Sequence, residues 1–359
     1  MRHEAPYFLP KLMPEREKIE TIRILKQESR SAAAIAELRG IAETIPNQSM
    51  LINAVVLQEA KDSSEIENIV TTQDKLYKAL NVHSGKIDPR TKEVVNYREA
   101  LFLGFDIIKE QGFMKVNDII KIQQQLEANR AGIRAVPGTV LKNDRTDETI
   151  YTPPQSKEEI LDLMDNFIQH YNMNENDISP LIMMTVLHAQ FESIHPFYDG
   201  NGRTGRILNL LYLIMNRLLN VPILYHSSYI IENKSEYYKT LNKINNDQNW
   251  EDFILFMLKS IEETSKMTIK KIRQIRDLLD KSIEKVQKEA ASIYKKELVE
   301  LLFEQPYCKI GYLVENLGVE RKAASRYLRE LETIDLLTSS KIGREKIYIN
   351  HALMKILKS

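Results

Sequence analysis

Apolar residues recur at mixed three- and four-residue spacing through 15–80, with few glycines and with Pro46 and Asn47 as punctuation, which predicts two or three helices. The same period returns in VVNYREALFLGFDIIKEQG, closed by Gly112, and in VNDIIKIQQQLEANR. Between Gly132 and Pro154 the texture changes to Pro, Gly, Asn and Asp mixed with short β-prone runs, which predicts a small hairpin or ordered loop. Segments 157–171, 179–194, 203–219, 234–245 and 250–276 read as helix again. The stretch 266–293 alternates charges over a long helical pattern and predicts a connecting helix, with a domain boundary near 290.

Beyond that boundary YKKELVELLFEQP is a helix stopped by Pro306. IGYLVENLGV, RKAASRYLRELETIDLL and SSKIGREKIYIN then predict helix, turn, helix and a short β-hairpin, an order that resembles a winged helix-turn-helix. The expected class is all-α. The expected domains are 1–95, 96–265, a connector 266–290, and 291–359.

A length of 359 residues predicts two or three domains. Hydrophobic residues at 43% and charged residues at 28% exclude a mostly disordered chain. Lys plus Arg equals Asp plus Glu at 50 each, so no global field drives the chain onto nucleic acid or an anionic membrane. Cys308 is the one cysteine, which excludes an intrachain disulfide framework and suits a reducing compartment. MRHEAPYFLPKLMPERE lacks the continuous apolar core of a secretion signal, and ILNLLYLIMNRLLN is interrupted by Asn209, Asn216 and Arg217. A cytoplasmic setting with no membrane partner is expected.

The chemistry concentrates in His195-Pro196-Phe197-Tyr198-Asp199-Gly200-Asn201-Gly202-Arg203-Thr204-Gly205-Arg206. Glycines let a backbone turn sharply and bring N–H groups against a phosphate, and the start of the following helix adds unpaired donors and a positive dipole end. Arg203 and Arg206 are three apart, hence on one helix face, and can grip further phosphate oxygens. Asp199 is a hard oxygen ligand suited to magnesium, and Asn201 can hydrogen-bond or assist the metal shell. His195 remains to take a proton from an attacking hydroxyl, while Phe197 is expected to be a core anchor that aims it.

This run resembles the signature of Fic proteins, His-x-Phe-x-Asp/Glu-Gly-Asn-Gly-Arg-x-x-Arg, at every constrained position. HAQFESI resembles the family's lead-in helix and PYFLPKLMP its amino-terminal segment. The resemblance implies a Fic-type helical bundle that transfers AMP from ATP to a Ser, Thr or Tyr hydroxyl of a target protein. Asp199 would hold Mg2+, amides near Gly200 and Gly202 the α- and β-phosphates, and Arg206 the γ-phosphate. His195 would deprotonate the hydroxyl. Relatives use other nucleotides or a phosphocholine donor; the intact Arg203 and Arg206 favour a nucleoside triphosphate.

Fic proteins often carry an inhibitory helix patterned Ser/Thr-x-x-x-Glu-Gly/Asn, which Ser63-Ser64-Glu65-Ile66-Glu67-Asn68 matches, within an expected helix at about 54–70. A carboxylate delivered by Glu67 to Arg206, with Ser63 on the same helical face, would occupy the γ-phosphate's place. In some relatives the same glutamate helps water remove AMP, and self-modification and a homodimer are compatible with the resemblance. NKSEYYKTLNKINND resembles the adenine-holding segment. Tyr238 and Asn245, seven apart, suit stacking and amide recognition, against the alternative that Tyr237 and Tyr238 simply pack the bundle. The target-docking flap is expected within 136–152. His188 is expected to be structural, and no P-loop run or zinc spacing is present.

The tail 291–359 holds 12 Lys plus Arg against 9 Asp plus Glu. Arg321, Lys322, Arg326 and Arg329 mark a candidate recognition helix, and Lys341, Arg344 and Lys346 a candidate wing. The rival function is therefore a DNA- or protein-binding regulator that keeps the Fic core as a nucleotide sensor.

Overall fold

The computed structural model describes residues 13–45, 47–81, 87–142, 149–173, 177–342 and 345–358. Residues 6–12 of the amino-terminal run, the centre of the expected flap at 143–148, and Arg344 lie outside the described residues.

The amino-terminal region forms α1 (Arg16–Ile19), α2 (Ile22–Ala42), α3 (Gln48–Ile66) and α4 (Gln73–Asn81). Thr21 and Asn47 start α2 and α3 by accepting from Ile24 N and Ser49 N, the helix-start chemistry of short polar side chains. α5 (Pro89–Gln111) opens with Pro89 behind the Asp88 cap and closes on Gly112 at φ 76°, and α6 (Val116–Glu127) packs along it. The expected boundary at 95/96 falls inside α5, so the two regions share a helix rather than a linker.

A two-stranded antiparallel hairpin follows, β1 (Leu141–Lys142) and β2 (Thr149–Tyr151), within the span expected for the flap. Then come α7 (Lys157–Asn172), α8 (Pro180–Ile194), α9 (Asn201–Met215), α10 (His226–Glu232) and α11 (Lys234–Asp247). α8 and α9 are buried nearly all round, which identifies them as the central pair of the bundle. α3 lies on α5 and α10, and Glu59 of α3, 1% exposed, accepts from Ser227 N at 2.9 Å at the start of α10. That buried bond fixes how α3 sits over α9.

α12 runs unbroken from Trp250 to Glu289. The expected connector 266–290 is its second half, because buried residues such as Ile269, Ile272, Ile275, Leu279 and Val286 continue one stripe along it. The stripe packs on α2 and then on the carboxy-terminal unit. That unit comprises α13 (Lys296–Glu304), β3 (Tyr307–Cys308), α14 (Ile310–Leu317), α15 (Arg321–Thr333), β4 (Thr338–Ile342), β5 (Glu345–Ile349) and α16 (His351–Lys358). Its antiparallel sheet is ordered β3-β5-β4, so the wing hairpin is joined by an extra strand. α16, which the sequence reading did not anticipate, buries Leu353, Met354 and Leu357 and packs on α12.

Candidate active site

α8 ends at His195, whose φ of 48° is left-handed and whose N–H donates to Phe191 O at 3.0 Å. Such a conformation is costly for a residue with a Cβ and persists only where its surroundings enforce it. Here they do. Phe197 is fully buried against Phe191, and the Asn201 carboxamide accepts from Phe197 N at 2.9 Å and donates to Phe197 O at 2.8 Å. Phe197 is thus the anchor the sequence suggested. Asn201 thus spends its carboxamide on the loop, which is the hydrogen-bonding alternative of the two expected for it. Gly200, at φ 76°, starts α9.

A Cβ on Gly202 would collide with Glu67 Oε1. The Glu67 carboxylate therefore lies against the first turn of α9, where free N–H groups and the dipole favour an anion. α3 stops at Ile66, so Glu67 is its C-cap rather than a helical residue. Arg206, 1% exposed, still reaches both expected partners: Nη2 donates to Glu67 Oε1 at 2.9 Å and to Ser63 O at 2.9 Å, and Nε donates to Ser63 Oγ at 2.8 Å. Lys234 Nζ donates to Ile66 O at 2.6 Å and pins the same turn. Burial raises the Glu67 carboxyl, but Arg206 outweighs it and holds the group below the usual carboxylate range.

Arg203 is placed differently from Arg206. It is 2% exposed, and its Nη2 lies 2.8 Å from Glu127 Oε1 while Nη1 lies 3.4 Å from Glu93 Oε2. These carboxylates from α6 and α5 hold the guanidinium in place. Asp199 projects outward, with a side chain 77% exposed whose Oδ1 accepts from Gly200 N at 2.7 Å. No group of three His, Cys, Asp or Glu suited to a metal occurs among the described residues. Magnesium bound beside a polyphosphate needs only one or two carboxylates, its other ligands being phosphate oxygens and water, and an exposed Asp199 fits that role.

The His195 imidazole is pushed down to about 4, first by burial and then by Arg134, against opposing effects from the Glu192 backbone, Glu67 and Asp199. It is a neutral acceptor at physiological pH. Three residues before it, Glu192 is half-buried with its Oε1 buried and unpartnered among the described residues, and desolvation pushes its carboxyl up to about 7.

The two adenine candidates are not brought together as equals. Tyr238 is 38% exposed, edge-on to Tyr237, while Asn245 is 8% exposed and accepts from Ser193 Oγ at 3.3 Å. Tyr237 is core, as the packing alternative held, with its hydroxyl 2.8 Å from His188 Nε2. His188, bonded there and to Asn209, is structural. Glu127, Glu93, Glu192, Lys234 and Arg134 were not found from sequence; each lies on a different element or outside the motif, and only Glu192, inside HAQFESI, and Lys234, inside NKSEYYKTLNKINND, carried any local signal.

Family models match in chain order: Fic/DOC family N-terminal at 25–106, Fic/DOC family at 113–213, and protein adenylyltransferase SoFic-like, C-terminal domain, at 278–353. A probable protein adenylyltransferase of Aquifex aeolicus is 44% identical over 63 residues, 18% of this chain and 20% of that protein. Protein adenylyltransferase fic-1 of Caenorhabditis elegans is 29% identical over 45% of this chain and 30% of its own. The chain therefore spans between a fifth and a third of the length of these two relatives. Among solved structures, a Fic family protein of Desulfovibrio desulfuricans is alike over 92% of this chain and 96% of its own, with a TM-score of 0.61 at 17% identity. C. elegans Fic-1 is alike over 70% and 74%, with a TM-score of 0.54 at 18% identity. These likenesses establish the fold.

Proposed function

Since this chain belongs to the Fic/DOC family, we propose that it transfers AMP from ATP to a Ser, Thr or Tyr hydroxyl of a target protein, with Glu67 as a built-in brake. The observation that carries the reading is the Glu67 carboxylate seated at the first turn of α9 and paired with Arg206. A site that holds one carboxylate there suits a phosphate, and a neutral imidazole ends the preceding helix. The amides of Gly202 and its neighbours bind phosphate oxygens, and Arg206 takes the γ-phosphate once Glu67 leaves. Asp199 would hold a magnesium ion, which would supply charge neutralisation to the phosphates. His195 Nε2 accepts the target's hydroxyl proton as that oxygen attacks the α-phosphorus and diphosphate departs. Positioning and electrostatics supply most of the acceleration in such chemistry. The test is labelling by ATP bearing a radioactive α-phosphate. The Glu67→Gly protein should label a lysate protein or itself, and His195→Ala in that background should abolish labelling; undiminished labelling without the imidazole refutes the reading.

A separate observation supports a nucleic-acid role for the carboxy-terminal unit. Arg321, Lys322, Arg326 and Arg329 are all exposed on α15, opposite the buried Ala324, Leu328 and Leu331, and Lys341 is exposed on the wing. Four cations on the free face of a second helix suit a phosphate backbone. A gel shift with duplex DNA that weakens steeply with salt supports this; retention unaffected by charge reversal at Arg326 and Arg329 removes it.

A further inference from the structure

Arg134 has, with Arg206, one of the largest fully buried side chains among the described residues, at 0% exposure, and no part of the motif accounts for it. It lies between α6 and the hairpin, in a segment stitched to the catalytic loop. Ile133 bridges Phe197, Arg134 N donates to Pro196 O at 3.0 Å, and Tyr198 Oη accepts from Ala135 N at 2.9 Å. The guanidinium runs beneath the end of α8, where Nε donates to His195 O at 2.7 Å and Nη2 to Ile194 O at 3.3 Å. Carbonyls at a helix C-terminus lack intrahelical partners, and a cation there answers both the missing donors and the dipole. One of these carbonyls belongs to the catalytic histidine itself, held in the left-handed region.

We propose that Arg134 is the positioning residue of the reaction: its fork on the carbonyls of Ile194 and His195 holds the histidine backbone in its left-handed turn and aims the imidazole. The inference rests on the adenylyl-transfer reading for its kinetic consequences but not for its spectroscopic ones. A fixed guanidinium also disfavours a second positive charge nearby, so the same contact keeps the base unprotonated. Tyr151 on β2 donates its hydroxyl to Ser193 O at 3.0 Å, and burial holds it in the neutral form. Glu67 at the end of α3, Asp199 in its own loop and the Glu192 backbone pull the imidazole upward. Arg134 is the cation that opposes them. The segment that carries it continues into the flap, so target docking and base alignment share one stretch of backbone.

The test uses the full chain carrying Glu67→Gly, with Arg134→Met and Arg134→Lys added separately. Two readouts are taken: kcat and KM for ATP, and the His195 imidazole titration by nitrogen-detected NMR. Arg134→Met should lower kcat by at least about tenfold with KM for ATP changed less than about threefold. It should also move the imidazole titration upward. Arg134→Lys keeps the charge without the fork, so its titration should stay near that of the parent while kcat falls partway; this variant decides the matter if the Met protein does not fold. A kcat and a titration both unchanged in a folded variant overturn the proposal, as does lowered stability alone. A parent without AMP transfer refutes the adenylyl reading and leaves the titration to judge Arg134.

Discussion

Arg206 is a guanidinium taken wholly out of water, and such a charge is tolerable only when paired and hydrogen-bonded. Ser63 supplies two fixed oxygens, but the counter-charge comes from Glu67, which is a third exposed. Glu67→Gly should therefore raise AMP transfer by about tenfold or more, because the γ-phosphate inherits the vacated counter-charge position. The same variant should melt at lower temperature, and ATP should recover more of that loss than it adds to the parent. Paired thermal melts with and without ATP check this, and an equal ATP shift in both proteins contradicts it. Glu192 makes a different prediction. Its carboxyl is raised to about 7, so the folded state favours its protonated form. The stability it contributes is complete below the unfolded value near 4.5 and is lost as pH rises through about 7. Glu192→Gln should thus gain stability relative to the parent between pH 6 and 8, by an amount of order 1–3 kcal/mol. Denaturant unfolding at the two pH values reads it.

Among the elements, α9 carries the turn that receives the Glu67 carboxylate, and its position depends on close approach by α5. At Gly104 a Cβ would overlap Leu211 Cδ1 on α9 and come within 3.0 Å of Ile122 Cδ1 on α6. Gly104→Val should lower stability by about 1–3 kcal/mol, since a branched side chain overfills a core already packed to contact. If urea unfolding shows no loss, the α5–α9 contact is softer than its spacing implies. α3 is the other decisive element, tied through Glu59 to α10 and through Ser63 to α9. On the proposed reading, a brake mounted on so rigid a support would be released by moving its last turn.

At the scale of the whole molecule, that last turn leads through 67–72 into α4, which packs on the carboxy-terminal unit. Tyr307 of β3 stacks on Tyr77 of α4, with ring centroids 6.1 Å apart and planes 16° from parallel, and its hydroxyl donates to Asp74. Gln73 Nε2 donates to Leu357 O of α16 at 3.0 Å, and Asn47 Nδ2 to Glu304 of α13 at 2.5 Å. Both ends of the region that bears Glu67 are therefore held by this unit. Tyr307→Ala should cost about 3–5 kcal/mol of stability and raise AMP transfer in the otherwise unaltered chain. Labelling at 20 °C, below any melting, measures the second effect, and no rise there would uncouple the unit from the brake. Among the described residues no helix is long and apolar enough to cross a membrane.

The loop at 195–206 was legible because its structure is local. A His, an Asp, glycines and arginines fall within twelve positions, and the backbone turn and helix start they occupy are encoded by neighbours in the chain. Helical periodicity likewise determined most of the bundle, and Ser63 with Glu67 could be paired with Arg206 through a spacing pattern. Only the tertiary structure decided the rest. Arg203 faces Glu127 and Glu93, Asn201 is spent on its own loop, Tyr237 rather than Tyr238 enters the core, and Arg134 caps the helix beneath His195. Apart from the Asn201 contact, which closes back on Phe197 four residues away, each is a contact between residues far apart in sequence or a choice between two faces of a helix. Periodicity states how often a side chain returns to a face; which partner waits there depends on how the helices cross.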